Sequence, residues 1–199
     1  MHAPDDSVTE RADAARNRTR LLAAAARLVA ERGAEHVTMH EVAEAAGVGK
    51  ATLFRRFGDR DGLLLALLGA AEAEFQEAYT SGPPPLGPGA SAGDRLAAFG
   101  CALIERTAAG ADLGAALGRQ VLHERRHASD TGRAFHQHVS TLLREAGVDG
   151  DRDMLAHALL AFATFETADY LRVGCGFPVA RLQATWVDLV RRVTRADAA

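Results

Sequence analysis

The sequence predicts an all-α fold, and three observations carry that expectation. Hydrophobic residues make up 48% of the chain while aromatics are only 6%, so the apolar set is chiefly Ala and Leu, both strong helix formers. Apolar residues recur at three- and four-residue spacing, and no run alternates as a half-buried strand would. Gly and Pro then cut the chain at Gly33, Gly47, Gly58, 81–93, Gly147 and 174–178 into pieces of helical length. A chain of 199 residues buries a sizeable core, as one domain or two small ones.

Residues 1 to 15 are polar and acidic, with Pro4, Asp5, Asp6 and Ser7 and no periodic apolar face, which predicts a disordered arm. From Arg16, Arg18 and Arg20 a helix begins in which Leu21, Leu22, Ala25, Leu28 and Val29 share a face, ending at Gly33. The three arginines read equally as a solvated helix start or as cations within reach of a phosphate.

Thr38 to Arg60 reads as a helix-turn-helix. Thr38 and Glu41 have the Thr-x-x-Glu spacing of a capping box, and Val42 and Ala46 lie on the inner face of the helix it starts. Gly47 supplies the positive φ of the corner, and Val48 its apolar plug. In the second helix Leu53 and Phe57 pack inward, which turns Lys50, Ala51, Thr52, Arg55 and Arg56 outward. Between Gly47 and Arg60 the charges are Lys50, Arg55, Arg56 and Arg60 against Asp59 alone, a face suited to the major groove of DNA. The signal is local: the net charge is −3, and residues 1 to 60 carry 10 Lys and Arg against 9 Asp and Glu, leaving 13 against 17 beyond.

Asp59 caps a helix from Arg60 to about Tyr79, carrying Leu63, Leu64, Leu67, Leu68 and Phe75, and the Pro- and Gly-rich stretch 81–93 ends it. Four segments follow, at about 94–109 with Asp94 as cap, 113–128, 130–147 and 151–173. Pro178 suits the first turn of a last helix holding Leu182, Trp186, Leu189 and Val193. No signal peptide or membrane span is found, so a cytoplasmic protein is expected. Cys101 and Cys175 read as free thiols, with a redox pair as the less favoured alternative.

A capped short helix, a Gly-Val turn, a short basic helix ending in Phe57-Gly58, and Asp59-Arg60-Asp61-Gly62-Leu63 opening the next resembles the TetR family of bacterial transcriptional regulators, over roughly Arg20 to Leu68. The resemblance implies a DNA-binding domain over 16–60 and a helical effector-binding and dimerisation domain over 61–199. It implies DNA contacts at Thr38, His40, Lys50, Ala51, Thr52, Phe54, Arg55, Arg56 and Arg60. Thr38 is equally placed to serve only the cap. Phe54 departs from the family's usual Tyr, which removes a phosphate-bonding hydroxyl. Gly49 stands where a side chain is usual and lowers helix propensity by about 1 kcal/mol relative to Ala. Arg60 replaces a usual Lys and keeps the charge.

The same resemblance implies a homodimeric repressor of a palindromic double-stranded operator, released by a small-molecule effector. Its dimer interface would lie on the last two helices, with Leu155, Leu159, Leu182, Trp186 and Leu189. Phe99, Leu103, Phe135, Phe162, Phe165 and Glu166 are the candidate effector-pocket residues, although plain core is the ordinary reading of such aromatics. No catalytic residue, metal or other cofactor is expected.

Two alternatives belong to other classes. His123-Glu124-Arg125-Arg126-His127 spells H-E-x-x-H, which on a helix would place both histidines to ligate zinc with Glu124 as base of a metal-dependent hydrolase. The pattern is short, two arginines occupy its centre, and no third ligand stands at a recognised spacing. The other alternative is a DNA-binding regulator with no small-molecule effector. His136 and His138 diverge on a helix, and His157 is isolated in sequence.

Overall fold

The computed structural model describes residues 6–118 and 130–195. Among them it contains ten α-helices and no strand: α1 (Asp6–Arg32), α2 (Met39–Ala45), α3 (Lys50–Phe57), α4 (Arg60–Ser81), α5 (Ala92–Ala109), α6 (Ala111–Leu117), α7 (Asp130–Glu145), α8 (Arg152–Phe162), α9 (Phe165–Asp169) and α10 (Val179–Arg195). The chain divides into two compact units, Met1–Ala71 and Glu72–Ala199, a boundary inside α4 rather than at its start.

α1 begins at Asp6, well inside the stretch expected to be disordered. The polar composition there was misleading: Glu10, Arg11, Ala12, Ala14, Ala15 and Arg16 are good helix formers, so the helix extends without an apolar face. Its later turns contribute Leu21, Ala24, Ala25 and Leu28 to a core completed by Val42, Ala43, Ala46, Leu53, Phe57, Leu63 and Leu64. Apart from Phe57 these are small or branched side chains, which lets the short helices α2 and α3 pack closely.

In the second unit α5 packs along α10 and α7 along α8. Ser91, not Asp94, caps α5: its hydroxyl accepts from the Asp94 N–H at 3.1 Å and donates to the Asp94 carboxylate at 2.7 Å. Asp151 caps α8 through the Met154 N–H at 3.0 Å. The helix expected over 151–173 is broken. At Thr164 the backbone turns extended, and the Thr164 hydroxyl accepts from the Thr167 N–H at 3.2 Å, starting α9 afresh. A β-branched hydroxyl residue there competes with the helical hydrogen bonds that an uninterrupted helix would need. The segment expected at 113–128 is described only as α6, and the remainder of it, with His123, Glu124 and His127, lies outside the described residues. No helix among the described residues is long and apolar enough to cross a membrane.

Trp186 on α10 lies at the heart of this core, fully buried, and its indole N–H donates to the Leu96 carbonyl of α5 at 3.0 Å. Gly100, one turn further along α5, makes room for the ring.

Candidate nucleic-acid interface

The N-terminal unit is built around a tightly capped corner. Thr38 accepts from the Glu41 N–H at 3.3 Å and donates to the Glu41 carboxylate at 2.8 Å, and that carboxylate also accepts from the Thr38 N–H at 3.0 Å. The hydroxyl is therefore committed to the capping box. Arg32 adds an ion pair to Glu41 at 2.9 Å. The hydrogen bonds from the Thr38 hydroxyl and N–H hold the Glu41 carboxyl below its ordinary 4.5, with Arg32 helping. Its contribution is thus present above pH 4.5 and is lost as pH falls through the lowered folded value. Thr38→Ala should cost about 1 kcal/mol near neutral pH. The difference in thermal midpoint from the parent protein, followed by circular dichroism, should narrow below pH 4.5; a gap that stays constant into acid would show that the Glu41 carboxylate does not contribute.

Gly47 adopts φ 66°, so the corner requires glycine as its sequence indicated. Arg20 donates to the Ala46 carbonyl at 3.1 Å, bracing the end of α2 from α1. The second cation on α1, Arg18, lies over the Phe57 ring at 5.5 Å. Arg20 is therefore a strut, a role that helix-start readings did not include.

α3 presents its chemistry outward on this frame. Leu53 and Phe57 are buried, and Lys50, Ala51, Phe54, Arg55 and Arg56 are exposed, with Thr52 half-buried. Arg55 falls on the side of α3 opposite the Leu53–Phe57 stripe, Ala51 stands one turn before it, and Phe54 and Arg56 flank it. Phe54 is 48% exposed, an apolar ring in the middle of a cationic face. His40, on the first turn of α2, is exposed as well. Arg60 differs from expectation: its guanidinium donates to the Val37 carbonyl at 3.1 Å and to the Ala34 carbonyl at 2.6 Å, tying the start of α4 to the turn before α2. A guanidinium has five donors in a fixed fork, and here at least two hold the fold.

Residues 21–67 match the family model of bacterial regulatory proteins of the tetR family. Over that segment the chain carries a TetR-family domain. The matched segment holds the helix-turn-helix of α2 and α3. Solved structures share the fold across nearly the whole chain. A protein of Rhodococcus sp. described as a TetR-family transcriptional regulator is 23% identical, covering 90% of this chain and 99% of its own, with a TM-score of 0.66. The fatty acid degradation regulator FadR of Bacillus halodurans is 16% identical, covering 87% and 93%, at 0.63. FadR of Bacillus subtilis, solved in complex with stearoyl-CoA, is 16% identical, covering 86% and 96%, at 0.57. No curated protein matches the chain.

The residues expected to form an effector pocket are only partly brought together. Phe99 and Phe135 pack edge to face at 5.6 Å, with Leu103 in the same core. They join a cluster whose other members were not singled out: Phe75 stacks on Phe99 at 5.3 Å, Tyr79 meets Phe99 edge-on at 5.3 Å, and His138 lies 4.4 Å from Tyr79. Burial first, and the Arg95 charge second, pushes His138 down to about 4, so it stays neutral at neutral pH. Arg106 covers the outer face of Phe75 at 4.8 Å. Phe162 is half-buried against this core, whereas Phe165 is on α9 and Glu166 is exposed there. Phe75 and Tyr79 were legible in principle as the continuing apolar rhythm of α4.

The proposed dimer contacts also divide. Leu159, Leu182 and Trp186 are buried in the chain's own core, which leaves them almost no surface for a second copy; Leu155 and Leu189 are half-buried. Among the described residues of the second unit, the large apolar side chains that stay exposed are Met154 at 62%, Tyr170 at 66% and Val173 at 74%.

Proposed function

We propose that this chain is a cytoplasmic homodimeric repressor whose α3 helices read a near-palindromic operator in double-stranded DNA, and which a small-molecule effector releases. The observation that carries the reading is the outward face of α3: three cations, an exposed ring and two small side chains on a helix held by a capped corner. Arg55, at the centre of that face, is placed to bond guanine bidentately. Ala51, the Thr52 methyl and Phe54 offer apolar contact to thymine methyls, and Lys50, Arg56 and His40 flank them toward phosphates. In this reading Arg60 serves the operator mainly by fixing α4, and Thr38 by fixing α2.

One such helix covers too little sequence to be selective, and a two-fold dimer repeats it in successive major grooves, roughly 34 Å apart or a multiple. Exposed Met154 at the start of α8, and exposed Tyr170 and Val173 just after α9, support a second copy docking on these elements, because an interface would remove large apolar groups from water. The ring cluster of Phe75, Tyr79, Phe99 and Phe135 supports an apolar effector, and Phe75 and Tyr79 belong to the same helix as the first unit's Leu63, Leu64 and Leu67. An effector acts only through different affinity for the DNA-competent and released states.

Selection of bound sequences from random duplexes, followed by a salt titration on the winner, tests the proposal. The expected result is a palindromic consensus bound by two chains, with affinity falling steeply as salt rises. Failure to enrich any sequence, or a single asymmetric half-site bound by one chain, would overturn it.

A further inference from the structure

Three side chains of metal-ligating type meet where α7 packs on α8. His136 comes from α7; Asp153 and His157 come from the first two turns of α8, four residues apart and therefore on one face of that helix. The His136 Nε2 atom lies 3.3 Å from the Asp153 carboxylate and 3.3 Å from the Asp153 carbonyl oxygen. The His157 ring, isolated in sequence, stands 4.1 Å from the His136 ring at a tilt of 30°. One ligating atom from each of the three lies within 4.8 Å of the other two.

The spacing is that of a coordination sphere only slightly expanded. Donors about 2.0–2.1 Å from a tetrahedral ion are separated from one another by about 3.3 Å. The His136 to Asp153 distance already equals such an edge. The remaining edges close by rotating side chains that have room to turn, since Asp153 and His157 are exposed and only His136 is half-buried. A hydrogen bond between His136 and Asp153 accounts for one of these approaches and ring packing of His157 on His136 for another, and neither requires a ligand atom from all three to converge within 4.8 Å. Two imidazoles and one carboxylate suit a borderline first-row ion rather than calcium or magnesium, which take oxygen ligands.

We propose that His136, Asp153 and His157 form a three-ligand site for a divalent transition metal of the zinc class, with the remaining coordination position open to water or an exogenous ligand. The ion pins α7 to α8. Ligands from both sides of one helix junction make its binding energy a contribution to the stability of that junction.

The experiment is zinc binding to the full-length chain carrying no polyhistidine tag, by titration calorimetry with zinc alone and by metal analysis after dialysis. One ion per chain is expected. His136→Ala and His157→Ala should each weaken it by at least about 100-fold, more than the 10–100-fold typical of removing a ligand's outer partner. Asp153→Asn, which keeps the side chain's shape, should weaken it clearly while leaving the metal-free melting midpoint unchanged. A His123→Ala/His127→Ala double variant should bind zinc as the parent does, and zinc should raise the melting midpoint of the parent and of this variant only. Parent binding no tighter than that of a His136→Ala/Asp153→Asn/His157→Ala variant would overturn the site. So would zinc that is retained by that triple variant and lost from the His123/His127 variant.

Discussion

Trp186→Ala should be the most destabilising single substitution in the second unit, lowering its unfolding free energy by about 3–5 kcal/mol. The indole is fully buried between α10 and α5, and its N–H is bonded to the Leu96 carbonyl at 3.0 Å, so truncation removes both a large apolar area and a donor from the interior. The cavity cannot close easily, because Leu96, Ile104, Leu142 and Leu182 of the same core are themselves fully or almost fully buried. The opposite change at the same contact tests the same packing. A Cβ at Gly100 would fall inside the Trp186 indole, so Gly100→Ala should destabilise by about 1–3 kcal/mol, although alanine elsewhere in a helix gains about 1 kcal/mol over glycine. The double variant Gly100→Ala/Trp186→Ala should be less unstable than the two changes added, since removing the ring removes the clash. Urea unfolding followed by circular dichroism measures all three. A loss under 1 kcal/mol for Trp186→Ala, or strict additivity, would show that this contact does not organise the unit.

The helix-turn-helix was legible because its determinants are short-range. Thr38 and Glu41 bond across three residues, Gly47 takes its positive φ from the corner itself, and Leu53 and Phe57 declare their inner face by spacing alone. Each of these is decided within one or two helical turns, the distance over which a sequence pattern carries geometry.

What escaped the sequence is decided between elements. Arg20 and Arg60 look like solvent-facing cations until Ala46, Ala34 and Val37 bring carbonyls to them from 23 to 26 residues away. The 4-3-4 rhythm of Leu182, Trp186, Leu189 and Val193 marks an apolar face on α10 but not what covers it, and α5 of the same chain covers most of it. The large apolar side chains that stay exposed among the described residues of this unit, Met154, Tyr170 and Val173, lie off that stripe. Thr164 shows the same limit in a local form. A helical rhythm runs through it, and only the choice of its hydroxyl to cap Thr167 breaks the helix. His157 is the extreme case, isolated by 21 residues from the His136 ring it meets.

Replacing Arg55 and Arg56 together by Ala should abolish specific operator binding while leaving the fold intact, since both side chains are exposed and neither contributes to the buried core. The two single variants should fail differently. Arg55 stands opposite the Leu53–Phe57 stripe, where a side chain reaches deepest into a groove, so Arg55→Ala should cost about 1–3 kcal/mol per half-site and relax preference at one base pair in each. Arg56 stands to the side, toward the sugar-phosphate wall, so Arg56→Ala should weaken binding evenly across sequences and reduce the salt slope by about 1 per contact. In the proposed homodimer every substitution occurs twice, which doubles each loss in the full operator. Competition binding against operators substituted one base pair at a time, repeated at several salt concentrations, separates the two behaviours. If the double variant bound the operator as the parent does, the outward face of α3 would not be the reading surface, and Phe54, the one large apolar group exposed on that face, would be left without a partner to explain it.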